Sequence, residues 1–177
     1  MISRAIRDLR VDAVAEELNQ EILDSHNHAE SILKSIKTCL ETELGHTIHH
    51  QFVEPTKDQK RCLRYKEDDE VLKLLKGASP NDPPPELVWA HMAAHQFPIR
   101  EDFWLGKLKN YLETDILFVC GDAHCDTFPM MLEGKGLAHR VIQRSIGMPN
   151  QQLNESAGVK CAREMRLFGT TSCPCTG

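Results

Sequence analysis

No stretch of this chain approaches the roughly 20 consecutive apolar residues that a membrane helix needs, so the sequence predicts no membrane partner. Its first residues, Met-Ile-Ser-Arg-Ala-Ile-Arg-Asp-Leu-Arg, carry charge without an apolar core, which predicts no secretory signal. Positive charge is not in surplus. The formal net charge of -5 disfavours nucleic acid and favours a small molecule or a protein as partner. No internal repeat, Walker loop, Rossmann fingerprint or Gly-x-Ser-x-Gly elbow occurs. The seven cysteines are odd in number and scattered, which predicts reduced thiols in a cytoplasmic compartment.

What remains is an ordinary globular composition. The 177 residues are 41% apolar and 27% charged, enough for a single domain with a sizeable core. Residues 1–147 are predicted to form that core domain. Residues 148–177 have little pattern beyond a predicted helix over 160–168, and are expected to be an extension that is mobile at its end.

The chain is organised around Asp115-Ile-Leu-Phe-Val-Cys-Gly-Asp-Ala-His124. Its unbroken apolar run predicts a strand buried on both faces within a parallel sheet. Gly121 lets the backbone turn sharply. Asp126 or Thr127 is placed to cap a helix that tolerates Pro129 in its first turn. In open α/β sheets, ligands bind at such strand ends.

Taken in order, residues 2–10 read as an amphipathic helix and 11–15 as a strand ending in Glu16 and Glu17. Residues 26–44 have helical spacing, stopped by Gly45. Residues 47–53 predict a second strand, with Thr56 capping a charged helical stretch over 57–76 that breaks near 66–69. Residues 77–85 form a proline-rich connector. Helices over 86–96 and 99–112 are expected to be separated by Phe97-Pro98, and 138–143 is the last strand. Strands alternating with helices imply parallel pairing, hence a three-layer α/β domain with a small, mostly parallel sheet flanked by helices. All carboxyl ends then share one edge, which brings Glu16, Glu17, Glu54, Asp122 and His124 together.

With those residues in place, the chain resembles uncharacterised bacterial relatives of the TraB / erythromycin-esterase / Tiki superfamily. The similar stretches are Val11-Asp-Ala-Val-Ala-Glu-Glu-Leu18, Phe52-Val-Glu-Pro-Thr56, Arg100-Glu-Asp-Phe-Trp104 and Gly121-Asp-Ala-His124, within residues 5–145. The resemblance implies an α/β core with a hydrolase-like site, metal-dependent in the Tiki proteins, worked by glutamates and a histidine. Family members usually begin with a further strand ending in a histidine, and this chain starts at the helix that should follow it. The expectation is a shortened chain or an incomplete site, with a bare sheet edge that favours self-association.

Each candidate has a plainer alternative. Glu16 and Glu17 either hold a divalent metal or a general base, or are solvated acids in the first turn of a helix. His124 is a ligand or base oriented by Asp122, or a turn residue bonded to its own backbone. Cys120 and Cys125 suit a nucleophile or plain core packing. His91 and His95 share a helix face, but the glutamate of a His-Glu-x-x-His motif is missing. Arg100 could reach an anionic substrate, and Glu54 joins it as a substrate-binding candidate. Cys173-Pro-Cys175 is a weak metal or redox candidate. The expected function is a metal-assisted or acid/base hydrolase acting on a small molecule or peptide. Catalysis falls to Glu16, Glu17, Asp122 and His124, with any divalent metal on Glu17 and His124. The alternative is a non-catalytic binding protein.

Overall fold

The computed structural model describes residues 2–26, 30–77, 82–142 and 164–168. Its first half runs through α1 (Ile2–Leu9), β1 (Ala13–Glu16), α2 (Gln20–Ser25), α3 (Ile32–Leu44) and β2 (His49–Phe52). Helices α4 (Lys57–Cys62), α5 (Asp68–Lys76), α6 (Pro85–His91) and α7 (Phe97–Leu108) follow. The chain then forms β3 (Asp115–Val119), α8 (Thr127–Gly134), β4 (Ala138–Ile142) and β5 (Glu164–Phe168).

The strands make one five-stranded sheet in the order β2-β1-β3-β5-β4. Strand β1 pairs in parallel with β2 and with β3, while β5 is antiparallel to both β3 and β4. All strands except β5 therefore share one direction. Helices cover both faces, as the alternation along a strand requires. On one face Ile6, Leu33 and Leu40 of α1 and α3 pack with Val14, Ile48 and Leu117. On the other, Trp104, Leu108 and Phe128 of α7 and α8 cover Ala15, Ile116 and Phe118. A smaller cluster of Tyr65, Val71, Met92 and Phe97 ties α5 and α6 to the end of the second layer. This is the expected three-layer α/β domain.

Local signals account for most boundaries. Ser31 caps α3 by accepting from the Lys34 N–H, and Gly45 closes it at a φ of 70°. Thr56 and Gln59 form a reciprocal capping box on α4. Three expectations need correction. The helix expected over 26–44 starts only at Ile32, and a short unpredicted helix, α2, precedes it on an Asn19 cap. Phe97-Pro98 does not break the helical run. Residues Met92–Gln96 form a wide π turn in which the Phe97 N–H donates to the Met92 carbonyl, so helical structure continues from Pro85 to Leu108. Pro98 lacks the N–H that an ordinary turn would use, and the widened turn absorbs that loss. Finally, Glu164–Phe168 is a strand where a helix was expected, because it finds backbone partners on β3 and β4. The tail after residue 168, with Cys173 and Cys175, lies outside the described residues.

Candidate functional site

Glu17 follows β1, Glu54 follows β2, and the Gly121–His124 turn follows β3, so parallel register brings all three to one sheet edge. Helix α7 crosses that edge and contributes Arg100, Glu101 and Trp104 from its successive turns. The Arg100 guanidinium is the hub. Its Nε donates to Glu54 Oε2 at 2.7 Å, its Nη2 donates to Glu17 Oε1, and its Nη1 stands 3.2 Å from His124 Nε2. Burial works against the Arg100 charge, but the carboxylates of Glu17 and Glu54 outweigh it and hold the pKa above the ordinary value.

Glu54 is itself buried. Besides Arg100 it accepts from the Trp104 indole N–H at 3.3 Å and ion-pairs with Lys60 at 2.8 Å. Lys60 also bonds Glu67 at 2.7 Å, and these two carboxylates raise its pKa despite partial burial. The other Glu17 oxygen, Oε2, accepts the Gly121 N–H at 2.6 Å. Gly121 has an extended backbone with φ at -63°, so its expected role in a sharp glycine-only turn does not hold. Close approach is its contribution: a Cβ there would sit 3.4 Å from Glu17 Oε2.

His124 is 1% exposed and lies between two rings, with centroids 4.4 Å from Phe97 and 4.6 Å from Trp104. Its Nδ1 is 2.7 Å from Glu101 Oε1, which also accepts from the Thr127 hydroxyl. A carboxylate at Nδ1 and a guanidinium at Nε2 assign the proton to Nδ1 and the lone pair to Nε2. Glu101 is wholly buried, and its second oxygen, Oε2, makes no hydrogen bond among the described residues. An ionisable group in such a place is costly unless paired, so its bond to His124 is the reason it can be there.

Glu101 was not among the sequence candidates. The signal was present: it falls on the apolar face of α7, in register with Phe97, Trp104, Leu105 and Leu108. Asp122, the expected orienting residue, is exposed at the start of a single 3-10 turn and has no side-chain bond to His124. Thr127 bonds Glu101, and no side-chain cap starts α8.

Glu16 takes the other face of the sheet. Its Oε1 accepts from the Ser31 hydroxyl and lies 2.6 Å from His50 Nε2, so it does not join Glu17 and His124. Cys120 keeps its proton, because its hydrogen bond with Cys125 and its burial both push the thiol pKa far up. No disulfide joins the cysteines of the described residues. The rings of His91, at the end of α6, and His95, on the π turn, are 4.7 Å apart and do not line the cleft around His124.

A metal fits this arrangement poorly. His124 Nε2 and Glu17 Oε1 are 4.0 Å apart with the Arg100 guanidinium bonded to both. Among the described residues no three His, Cys, Asp or Glu side chains are grouped to hold an ion. Beside the network opens a cleft of about 490 Å³, bordered by Glu17, Arg100, His124, Tyr65 and Trp89. No described helix is long and apolar enough to cross a membrane. No family model matches the chain, and no curated protein or solved structure is found similar to it.

Proposed function

We propose that the cleft is the active site of a hydrolase acting on a small molecule or peptide, with His124 as its general base. The observation that carries this reading is the buried Glu101–His124 pair, which orients the ring and sets Nε2 at the cleft, where an attacking water would take the place of the Arg100 Nη1 contact at 3.2 Å. A carboxylate at Nδ1 stabilises the imidazolium that forms when Nε2 takes a proton from water. His124 then returns that proton to the leaving group. Arg100 stands next to Nε2, where its positive charge can stabilise the oxygen that becomes negative during attack. Glu17 and Glu54 hold the guanidinium in place from two sides. A divalent cation on Glu17 and His124 would have to displace Arg100, and the reading assumes a reducing, cytoplasmic setting.

The second reading, ligand binding without turnover, is favoured by one observation. Arg100, Glu17, Glu54 and His124 already satisfy one another, as a stable binding surface would. The test is a panel of chromogenic esters, amides and phosphoesters given to the parent protein, His124→Gln and Glu101→Gln. Each assay runs with chelator and with added zinc, manganese or magnesium. Turnover that disappears in both variants is expected. A parent without turnover on any class, but with a melting temperature raised by a bound ligand, would replace catalysis by binding.

A further inference from the structure

The cleft does not end at His124. A second hollow of about 490 Å³ adjoins it, and the two share Asp68, Asp69 and Trp89 as a common wall. The second lobe is apolar, faced by Leu72, Val88, Met92 and the prolines at 83 and 85. Each lobe is of the size that holds a small organic molecule.

The shared wall has its own chemistry. Trp89 leaves half of its surface exposed, at 51%, although an indole gains from burial. Its ring is not adrift, since Phe97 meets it edge-on at 5.3 Å. Asp69 is paired with Lys73, and Glu67, which lines the first lobe alone, with Lys60. Asp68, at the first position of α5, has neither ion pair nor side-chain hydrogen bond among the described residues. The wall of the first lobe carries Glu67, Asp69 and Glu17, paired with Lys60, Lys73 and Arg100, and Asp68, the lining carboxylate left without a counter-ion among the described residues. An anion would find the one lining cation, Arg100, already paired with Glu17 and Glu54. A cation would find the Asp68 carboxylate on the same wall as a half-exposed indole, the two groups that attract organic ammonium ions.

We infer that the substrate is a small organic cation carrying an apolar body. Its ammonium group sits at the Asp68–Trp89 neck, its apolar part fills the lobe at Leu72 and Met92, and its scissile group reaches His124. This deepens the hydrolase reading and rests on it for the position of the scissile group. The cation preference rests on the wall between the lobes. Rigid placement by a remote ammonium group is also how binding energy is used to orient a reacting bond.

The probe is benzyltrimethylammonium, compared with neutral benzyl alcohol and anionic phenylacetate. Trp89 is the reporter, because Trp104 is wholly buried and the chain has two tryptophans. The cation should change the emission and bind at least about tenfold more tightly than either comparator. Asp68→Asn should weaken it several-fold, Asp68→Asn with Asp69→Asn further, and added salt should weaken the parent in the same direction. Trp89→Phe should remove the emission change, and calorimetry then follows the residual binding. The Glu67–Glu70 capping box is kept in every variant, and circular dichroism checks that α5 persists.

Equal binding of cation and anion, or a cation affinity untouched by Asp68→Asn and Asp69→Asn, would overturn the inference. The two failures are separable. Cation binding that depends on Asp68, in a protein without turnover on the substrate panel, defeats the catalytic reading and leaves the cation site. Turnover that depends on His124 but treats anionic and cationic substrates alike defeats the cation site and leaves catalysis.

Discussion

Two neighbouring glutamates lead opposite lives in this protein. Glu16 and Glu17 are joined by one peptide bond, but the pleat of β1 sends them to different faces. On the α3 side, Glu16 is closed in by Ser31 and His50, at the top of a layer built from Val14, Ile48 and Leu117. Everything there ties β1, β2 and the start of α3 together. On the α7 side, Glu17 holds Arg100 beside a histidine whose other nitrogen is fixed by a buried acid, with a cleft in front. The same residue type is a clamp on one face and a member of the candidate site on the other. The difference lies in what the opposing helix supplies.

The largest expected effect falls on the site face. Glu101→Gln keeps the shape of the side chain but removes the charge that selects the Nδ1–H tautomer. Turnover should fall on the order of 10³–10⁴-fold, as for other carboxylate-oriented histidines, while chemical denaturation shows the fold intact. If a comparable loss of turnover came instead from Glu16→Gln, the division between the faces would be wrong.

Next comes Arg100→Met, which leaves Glu54 buried with only Lys60 against its charge. Breaking a buried pair from one side should cost about 3–5 kcal/mol of stability in urea titration. A loss below about 1 kcal/mol would mean that water reaches Glu54 and that the guanidinium is not the hub of this edge.

Exchanging the two glutamates for glutamine, one at a time, gives the direct comparison. Glu16→Gln should cost about 1–3 kcal/mol through its hydrogen bonds and leave turnover within a few-fold. Glu17→Gln should do the reverse, with turnover down on the order of 10²-fold and a smaller change in stability. Identical behaviour of the two would erase the contrast.

The smallest expected effect is in the pH dependence of stability, and the two faces should respond at opposite ends. Lys60, on the site face, has its pKa raised, so its contribution is whole below about 10.5 and is lost as pH rises through the higher folded value. Glu41, on the α3 face, accepts from Lys37 and from the Ile48 N–H, which lower its pKa. Its contribution is whole above the usual carboxylate range and is lost as pH falls through the lower folded value. Lys60→Met should flatten the alkaline limb and Glu41→Gln the acid limb, each by about 1 kcal/mol or less. Thermal melts across the pH range would read both.

Much of this protein was legible along the chain, because the relevant physics is local. Apolar runs of period two or 3.6 placed β1, β3, β4, α1 and most of α3. Capping chemistry at Thr56 and Gly45 marked where helices begin and end. Strands alternating with helices fixed the layering and brought Glu17, Glu54 and His124 to one edge. Other features depend on contacts between distant segments. The π turn that lets α7 run through Pro98 is held by packing around Met92 and Phe97 and by the Gln96–Lys66 hydrogen bond. Strand β5 exists because β3 and β4 offer it backbone partners, whatever its own pattern suggests. The partner of His124 was the hardest to read: Asp122 is two residues away but turned outward, whereas Glu101, on another element, meets Nδ1 at 2.7 Å. Sequence distance ranks neighbours along the chain. Only the crossing of α7 over the sheet edge decides which carboxylate loses its water to the histidine.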